Sequence, residues 1–167
     1  METRKRNISL ESILVMILLI IFAISACTMI IQGSQSYDSI LEDKENAENA
    51  RIALSYINMR VKQNDVGGKI SLEKSAVEGR DALMIKHSGE EEGYLTYIFW
   101  SDNKLWECYT DALTEPSITL SSQIVSLDGL SFDFNEKGQT LQVSVKYQYG
   151  KDLLNLKSII ALRSNVL

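Results

Sequence analysis

One uncharged stretch near the N-terminus constrains this chain more than any other feature. Residues Ile13 to Ile31 form a run of 19 residues without a charge, and 17 of them are apolar. At 1.5 Å per residue, a helix of this length spans about 28 Å, close to the ~30 Å hydrocarbon core of a bilayer. We therefore predict a transmembrane helix over residues 13–31, with the lipid bilayer as its surroundings.

The charges differ on the two sides of this run. Residues 1–12 hold three basic and two acidic residues, a net charge of +1. The rest of the chain carries a net charge of −6, which gives the formal total of −5. The positive-inside bias places a basic leader, residues 1–12, in the cytoplasm and the remainder outside. A single-pass cell-membrane protein is predicted. Its acidity excludes a basic nucleic-acid binder.

A carboxylate stands where the apolar run begins, in the order Ser9-Leu10-Glu11. The unpaired N–H groups of a helix N-terminus favour an anion by about 0.3–1 kcal/mol, which offsets part of the cost of Glu11 near the bilayer. In a filament core, this carboxylate would pair with the α-amino group of a neighbouring subunit and set its axial register. The alternative is that Glu11 marks the cytoplasmic edge of a plain anchor.

A second motif lies inside the run. Ile24-Ser25-Ala26-Cys27 has the shape of a lipobox, with an apolar residue and two small residues before the cysteine that would take the lipid. Against this interpretation, the apolar run continues beyond Cys27. The alternative is a small lipid-facing residue, because small residues are common in spanning helices.

Residues 32–66 are predicted to continue the helix as an amphipathic half. Neither Gly nor Pro occurs between Ser34 and Val66, and Gly67-Gly68 ends the pattern. Apolar residues recur at intervals of three, four or seven, which places them on one helical face. They are Ile40, Ala47, Ala50, Leu54, Ile57 and Val61.

Short extended runs follow over residues 67–167. Residues 94–100 and 105–110 flank a polar turn, and residues 130–135 and 140–149 flank another, so both pairs predict hairpins. Brief strands are predicted at residues 70–72 and 82–86, and a final strand at residues 154–162. Pro116 marks a crossing segment. The whole predicts an α+β fold, with a long N-terminal helix packed on an antiparallel β-meander.

Residues capable of catalysis are sparse. His87, the only histidine, has no cysteine or acidic partner at ligand spacing, so it is predicted at the surface or at a strand end. Cys108 is predicted to be a buried thiol, and Glu90 to Glu92 a solvated loop. The aromatic residues between Tyr94 and Tyr109 are predicted mostly to pack in the core. We predict no catalytic residue, no metal and no cofactor, and no small-molecule substrate is identified.

The residues described so far resemble those of type IV pilins and minor pseudopilins. The resemblance rests on Arg4-Lys5-Arg6 as leader, on the Ser9-Leu10-Glu11 entry and on the half-helix before a meander. The chain is also similar to an uncharacterised family of short single-span proteins of Gram-positive bacteria. The resemblance implies leader cleavage near Arg6, Asn7 and Ile8, and an alignment role for Glu11. It also implies that residues 8–31 contact other pilin-like subunits.

Two functions remain open from the sequence. The first is a non-catalytic, pilin-like subunit of a type IV pilus, a competence filament or a secretion-type filament. The second is a membrane-anchored extracytoplasmic binding module, lipidated at Cys27 or not, with no filament role.

Overall fold

One helix, α1, forms the N-terminal part of the computed structural model, which describes residues 10–135 and 139–162. Helix α1 spans Leu10–Gln63. It ends before Gly67-Gly68, where Gly68 has a φ of +70°, a backbone conformation that favours glycine. The predicted continuation of the membrane helix into an amphipathic half is therefore confirmed, with an end two residues before the predicted Asp65.

The chain divides into two compact units, the first ending at Glu42 and the second beginning at Asp43. In the first unit, every described residue is exposed in the isolated chain. This includes Ile40, which the periodicity assigned to the buried face but which is 64% exposed. In the second unit, α1 buries four residues completely: Ala50, Ala53, Ile57 and Val61.

Eight strands follow α1, and consecutive strands within each sheet pair antiparallel. They are β1 (Ile70–Val77), β2 (Arg80–Lys86), β3 (Tyr94–Ser101), β4 (Lys104–Asp111), β5 (Ser121–Ser126), β6 (Gly129–Asn135), β7 (Thr140–Tyr149) and β8 (Asp152–Ala161). The α+β fold with an antiparallel meander is therefore confirmed. Strand β5 is the one that the sequence pattern did not predict.

The strands form two sheets. The first has the order β1-β2-β3-β4-β5 and the second the order β6-β7-β8. The β3–β4 turn consists of Asp102 and Asn103, whose φ angles of 51° and 57° suit the two-residue hairpin turns that match strand twist. In β7, Leu141, Val143 and Val145 are fully buried, as the alternation predicts.

The main core joins the buried face of α1 to both sheets. Its strand residues include Leu83, Ile85 and Ile98 from the first sheet, and Leu141 and Val143 from the second. The first sheet carries a smaller apolar cluster on its other face. That cluster contains Val77, Ala82, Met84, Tyr97, Phe99 and Cys108, with Ile118 of the short 3-10 helix Ile118–Leu120 packed against it.

Candidate functional site

The apolar half of α1 is long and apolar enough to cross a membrane. None of its most apolar stretch is buried within the chain. Two hydroxyls in it are satisfied inside the helix, because Ser25 Oγ donates to the Ile21 carbonyl and Thr28 Oγ1 donates to the Ser25 carbonyl, each at 2.8 Å. A spanning segment needs such internal partners, since lipid offers none.

The predicted N-terminal site residues lie partly within the described chain. Glu11 is in the first turn of α1. Cys27 is a free, exposed thiol on the same helix. Arg6, Asn7 and Ile8, where leader cleavage is predicted, lie outside the described residues, as does most of the leader.

A polar contact in the second unit fastens α1 to the first sheet. Arg60 Nη2 lies 2.7 Å from one carboxylate oxygen of Glu107 and 2.8 Å from the other. Tyr56 Oη donates to Glu107 at 2.5 Å, and Arg60 Nε donates to Tyr56 Oη at 3.2 Å. The Glu107 side chain is only 10% exposed, so this carboxylate depends on these two partners.

Two pKa values reflect this contact. Burial raises the pKa of the Tyr56 phenol, and the hydrogen bond to Glu107 acts in the same direction. Burial opposes the charge of Arg60, but its bonds to Tyr56 and Glu107 outweigh this and leave its pKa raised. Tyr56 therefore stays a donor and Arg60 stays charged at neutral pH.

The sequence analysis missed this contact, although one signal was present. Glu107 has the same strand parity as buried Leu105, so period-two alternation points its carboxylate towards the core. A buried acid calls for a cation, and Tyr56 and Arg60 stand four residues apart on one helical face.

Two aspartates hold the second sheet by backbone hydrogen bonds. Asp43 Oδ1 accepts from the Gly150 amide at 2.6 Å, which joins the start of the second unit to the β7–β8 turn. Asp128 Oδ2 accepts from the Gln148 amide at 2.7 Å. Both carboxylates therefore have a positioning role near the end of β7.

His87 is the centre of a second polar group. It follows β2 directly, which confirms the predicted strand end, but it is buried at 7% exposure rather than lying at the surface. The prediction that it has no acidic partner is wrong, because its Nδ1 is 3.0 Å from Glu91 Oε2, four residues further on. Its Nε2 is 2.7 Å from Thr96 Oγ1. The imidazole also meets the Tyr109 ring edge-on, with centroids 5.3 Å apart.

These hydroxyl, imidazole and carboxylate groups are connected as in a proton relay. The hydroxyl, however, is not accessible to a substrate. Thr96 is 1% exposed, so its hydroxyl cannot meet a substrate from solvent. Cys108 is fully buried, as predicted, and lies in the apolar cluster on the outer face of the first sheet. Within residues 10–135 and 139–162, no three His, Cys, Asp or Glu side chains are placed to hold a metal.

The aromatic residues divide between core and surface. Phe99 and Tyr97 are buried. The two tryptophans, Trp100 and Trp106, are half-buried, and their indole N–H groups donate to backbone carbonyls at 3.0 Å. Tyr94 and Tyr109 instead stack on the surface, with ring centroids 5.2 Å apart. Core packing therefore accounts for the other four of the six aromatic residues between Tyr94 and Tyr109.

Two open grooves lie on the second unit. The first, of about 810 Å³, runs between the first sheet and β6, with an apolar wall that includes Leu72, Trp100 and Phe132. The second, of about 780 Å³, lies beside the connection between β2 and β3.

The middle of the chain matches one family model. That model, described as a domain of unknown function, DUF4860, covers residues 48–148, which is more than half of the chain. The chain belongs to the DUF4860 family. No curated protein and no solved structure matches it.

The DUF4860 match is confined to the second unit. It begins within the second half of α1 and ends within β7, so it contains Tyr56, Arg60, Glu107 and His87. The apolar run and β8 lie outside the match. The family resemblance is therefore carried by the packed domain rather than by the membrane segment.

Proposed function

We propose that this DUF4860 protein is a non-catalytic, single-pass membrane protein that serves as a pilin-like subunit, or minor pseudopilin. It would belong to a type IV pilus, a competence filament or a secretion-type filament. The observation that carries the proposal is helix α1. One uninterrupted helix, Leu10–Gln63, combines an apolar, fully exposed half with a half that packs on antiparallel sheets.

The mechanism would be assembly. Residues 8–31 hold the subunit in the bilayer and then pack against the helices of other pilin-like subunits. Glu11 aligns the subunits through its carboxylate, and the β domain forms the outer surface. The excess of basic residues before the apolar run supports a cytoplasmic N-terminus and an external domain.

The first experiment tests Glu11. Glu11→Ala in the full chain should abolish co-purification with other pilin-like subunits from detergent-solubilised membranes. Glu42→Ala is the matched control, since this exposed carboxylate lies on the same helix but outside the apolar run. Equal co-purification of both variants with the wild type would refute the alignment role.

The second experiment determines the mature N-terminus by sequencing the membrane-extracted protein. Cleavage beside Arg6 or Asn7 supports a processed pilin-like subunit. An intact Met1 would reduce the protein to a pilin-shaped anchor. A blocked, lipid-bearing Cys27 would overturn the filament proposal.

A second candidate function is an anchored or lipidated extracytoplasmic binding module. It is favoured by the two open grooves of the second unit and by the exposed Cys27 thiol. It predicts that Glu11→Ala has no effect on complexes with pilin-like proteins. In its lipidated form, Cys27→Ser would abolish incorporation of a fatty-acid label, while the uncleaved apolar run would still hold the protein in the membrane.

A further inference from the structure

The groove beside the β2–β3 connection is lined by three lysines. It also contains the carboxylates of Glu73 and Glu92 and the buried His87. The lysines are Lys69, Lys74 and Lys86. The lysines outnumber the two carboxylates of the groove by one, whereas the chain beyond residue 12 carries a net charge of −6.

Two of these lysines face each other across the sheet. Ile70 pairs with Ile85, and the Lys86 amide donates to the Lys69 carbonyl at 2.8 Å, so Lys69 and Lys86 form the next pair. Because side chains alternate, this pair lies on the face opposite to the buried isoleucines. Like charges directly opposite each other destabilise a sheet, so the fold gains nothing from this arrangement.

The three lysines also lack counter-ions within the described chain. No carboxylate lies within ion-pair distance of any of them, although Glu73 and Glu92 line the same groove. The one hydrogen bond that engages an ammonium here runs from Lys69 Nζ to the His87 carbonyl at 3.4 Å. The ammonium groups are therefore available to an external anion.

The wall next to the lysines is apolar with one hydroxyl. Met84 and Tyr97 stand two rungs from the lysine pair on the same face, and Leu95 lies opposite Lys86. Tyr97 is 9% exposed, and its side chain, which ends in a hydroxyl, lines the same groove. Burial, with Glu73 acting in the same direction, raises the pKa of Tyr97, so this hydroxyl remains a donor.

We propose that this groove binds a phosphate-bearing ligand. The phosphate lies between Lys69 and Lys86, where two ammonium groups act as point charges, and the Tyr97 hydroxyl supplies a further donor. The non-phosphate part of the ligand lies against Met84 and Leu95. A lipid headgroup and a free phosphate ester share this chemistry. The site goes beyond the filament role and does not depend on it.

The test uses the full chain in nanodiscs of neutral lipid, with methyl-labelled methionine observed by NMR. Glycerol phosphate is the soluble probe, and short-chain phosphatidylglycerol below its micelle concentration is the lipid probe. We expect a saturable shift of the Met84 methyl signal and none for Met59, which lies exposed on α1. Tighter binding of the lipid probe identifies a headgroup, and tighter binding of glycerol phosphate identifies a soluble ester.

Three variants test the lysines. Lys86→Met should weaken binding at least about tenfold, since a charge-assisted contact is lost. It should not lower the thermal midpoint, because it relieves the like-charge pair. Lys86→Arg keeps the charge and should keep binding. Lys157→Met, on the exposed edge strand β8, should bind as the wild type does.

Two results would overturn the site. One is the absence of a Met84 shift with either probe. The other is equal binding by Lys86→Met and Lys157→Met. The Glu11→Ala variant separates this site from the filament proposal. It should lose co-purification with pilin-like subunits and still bind the phosphate probes.

Discussion

The two halves of α1 have the same backbone conformation and opposite surroundings. In the first unit, no described helical residue is buried by the chain, and the apolar run has no polar face. In the second unit, the helix buries one face that includes Ala50 and Ile57 and exposes another that includes Ile52 and Met59. A continuous helical backbone therefore does not show what surrounds each part of a helix. The distribution of apolar residues around the helix axis does.

The halves also differ in how they tolerate charge. The second half carries Arg60 on a half-buried position, where Glu107 compensates it. The uncharged residues 13–31 have no such partner. A charge introduced into the buried face of the second half should therefore impair folding. A charge introduced into the apolar run should impair membrane insertion.

The largest effect is expected from Ile57→Asp. Ile57 is fully buried, and an unpaired carboxylate there costs roughly 3–5 kcal/mol, much of the stability of a small domain. Circular dichroism and protease digestion of the purified protein should show an unfolded second unit with normal membrane insertion. Ile52→Asp, at a position 51% exposed on the same helix, should change stability by less than about 0.5 kcal/mol. A folded Ile57→Asp protein would contradict the buried face.

Ile20→Lys is the corresponding change in the membrane half. A lysine at the centre of a spanning helix costs about 2.5–3.5 kcal/mol on insertion scales, which corresponds to roughly a hundredfold in the insertion equilibrium. Cell-free translation with microsomes should show reduced insertion, while the second unit keeps its thermal midpoint. Ser34→Lys, beyond the apolar run, should insert normally. Equal insertion of both variants would argue against a span at residues 13–31.

Glu107→Gln should weaken the attachment of α1 to the first sheet. It leaves the half-buried Arg60 without a counter-charge, which we expect to cost about 1–3 kcal/mol in denaturant unfolding. The control is Glu78→Gln, because the Glu78 side chain of the Arg80–Glu78 pair, at 3.5 Å, is 46% exposed against 10% for Glu107, and this pair should contribute less than about 1 kcal/mol. If the two variants lose the same stability, burial does not strengthen the contact of Glu107.

The smallest effect concerns Asp111, at the end of β4. Hydrogen bonds from the Leu113 amide and from Thr114 lower the pKa of this exposed carboxyl. Its contribution to stability is therefore present above the unfolded value and is lost as pH falls through the folded pKa. Asp111→Asn should make the acid side of the stability curve slightly flatter, without affecting either half of α1. An unchanged acid profile would show that the turn does not depend on the ionised group.

Much of the fold was predictable because local periodicity carries it. The absence of Gly and Pro from residues 34–66 predicted α1, and the alternation of Leu141, Val143 and Val145 predicted β7. Strand β5 was not predicted, since its residues Ser121 to Gln123 are polar and only Val125 is buried. The strands divide into two sheets because β5 and β6 do not pair with each other. No local sequence pattern predicts this separation.

The candidate sites were less predictable because they depend on long-range pairing. The Lys69–Lys86 pair requires the register of β1 and β2, and Glu107 meets Tyr56 across 51 residues of sequence. His87 is buried because Thr96 and Tyr109 come to it from two other strands. The immediate neighbours of His87, Lys86 and Ser88, are polar, and no partner for the imidazole was recognised in the sequence.

The bond between Asp43 and Gly150 has a mechanical consequence. Asp43 is the first residue of the packed unit, and its carboxylate accepts the amide at the β7–β8 turn. A pull on the membrane segment would reach this hydrogen bond before it reaches Ala50, the first fully buried residue of α1. The β7–β8 turn would therefore bear a load applied through the helix before the buried core does.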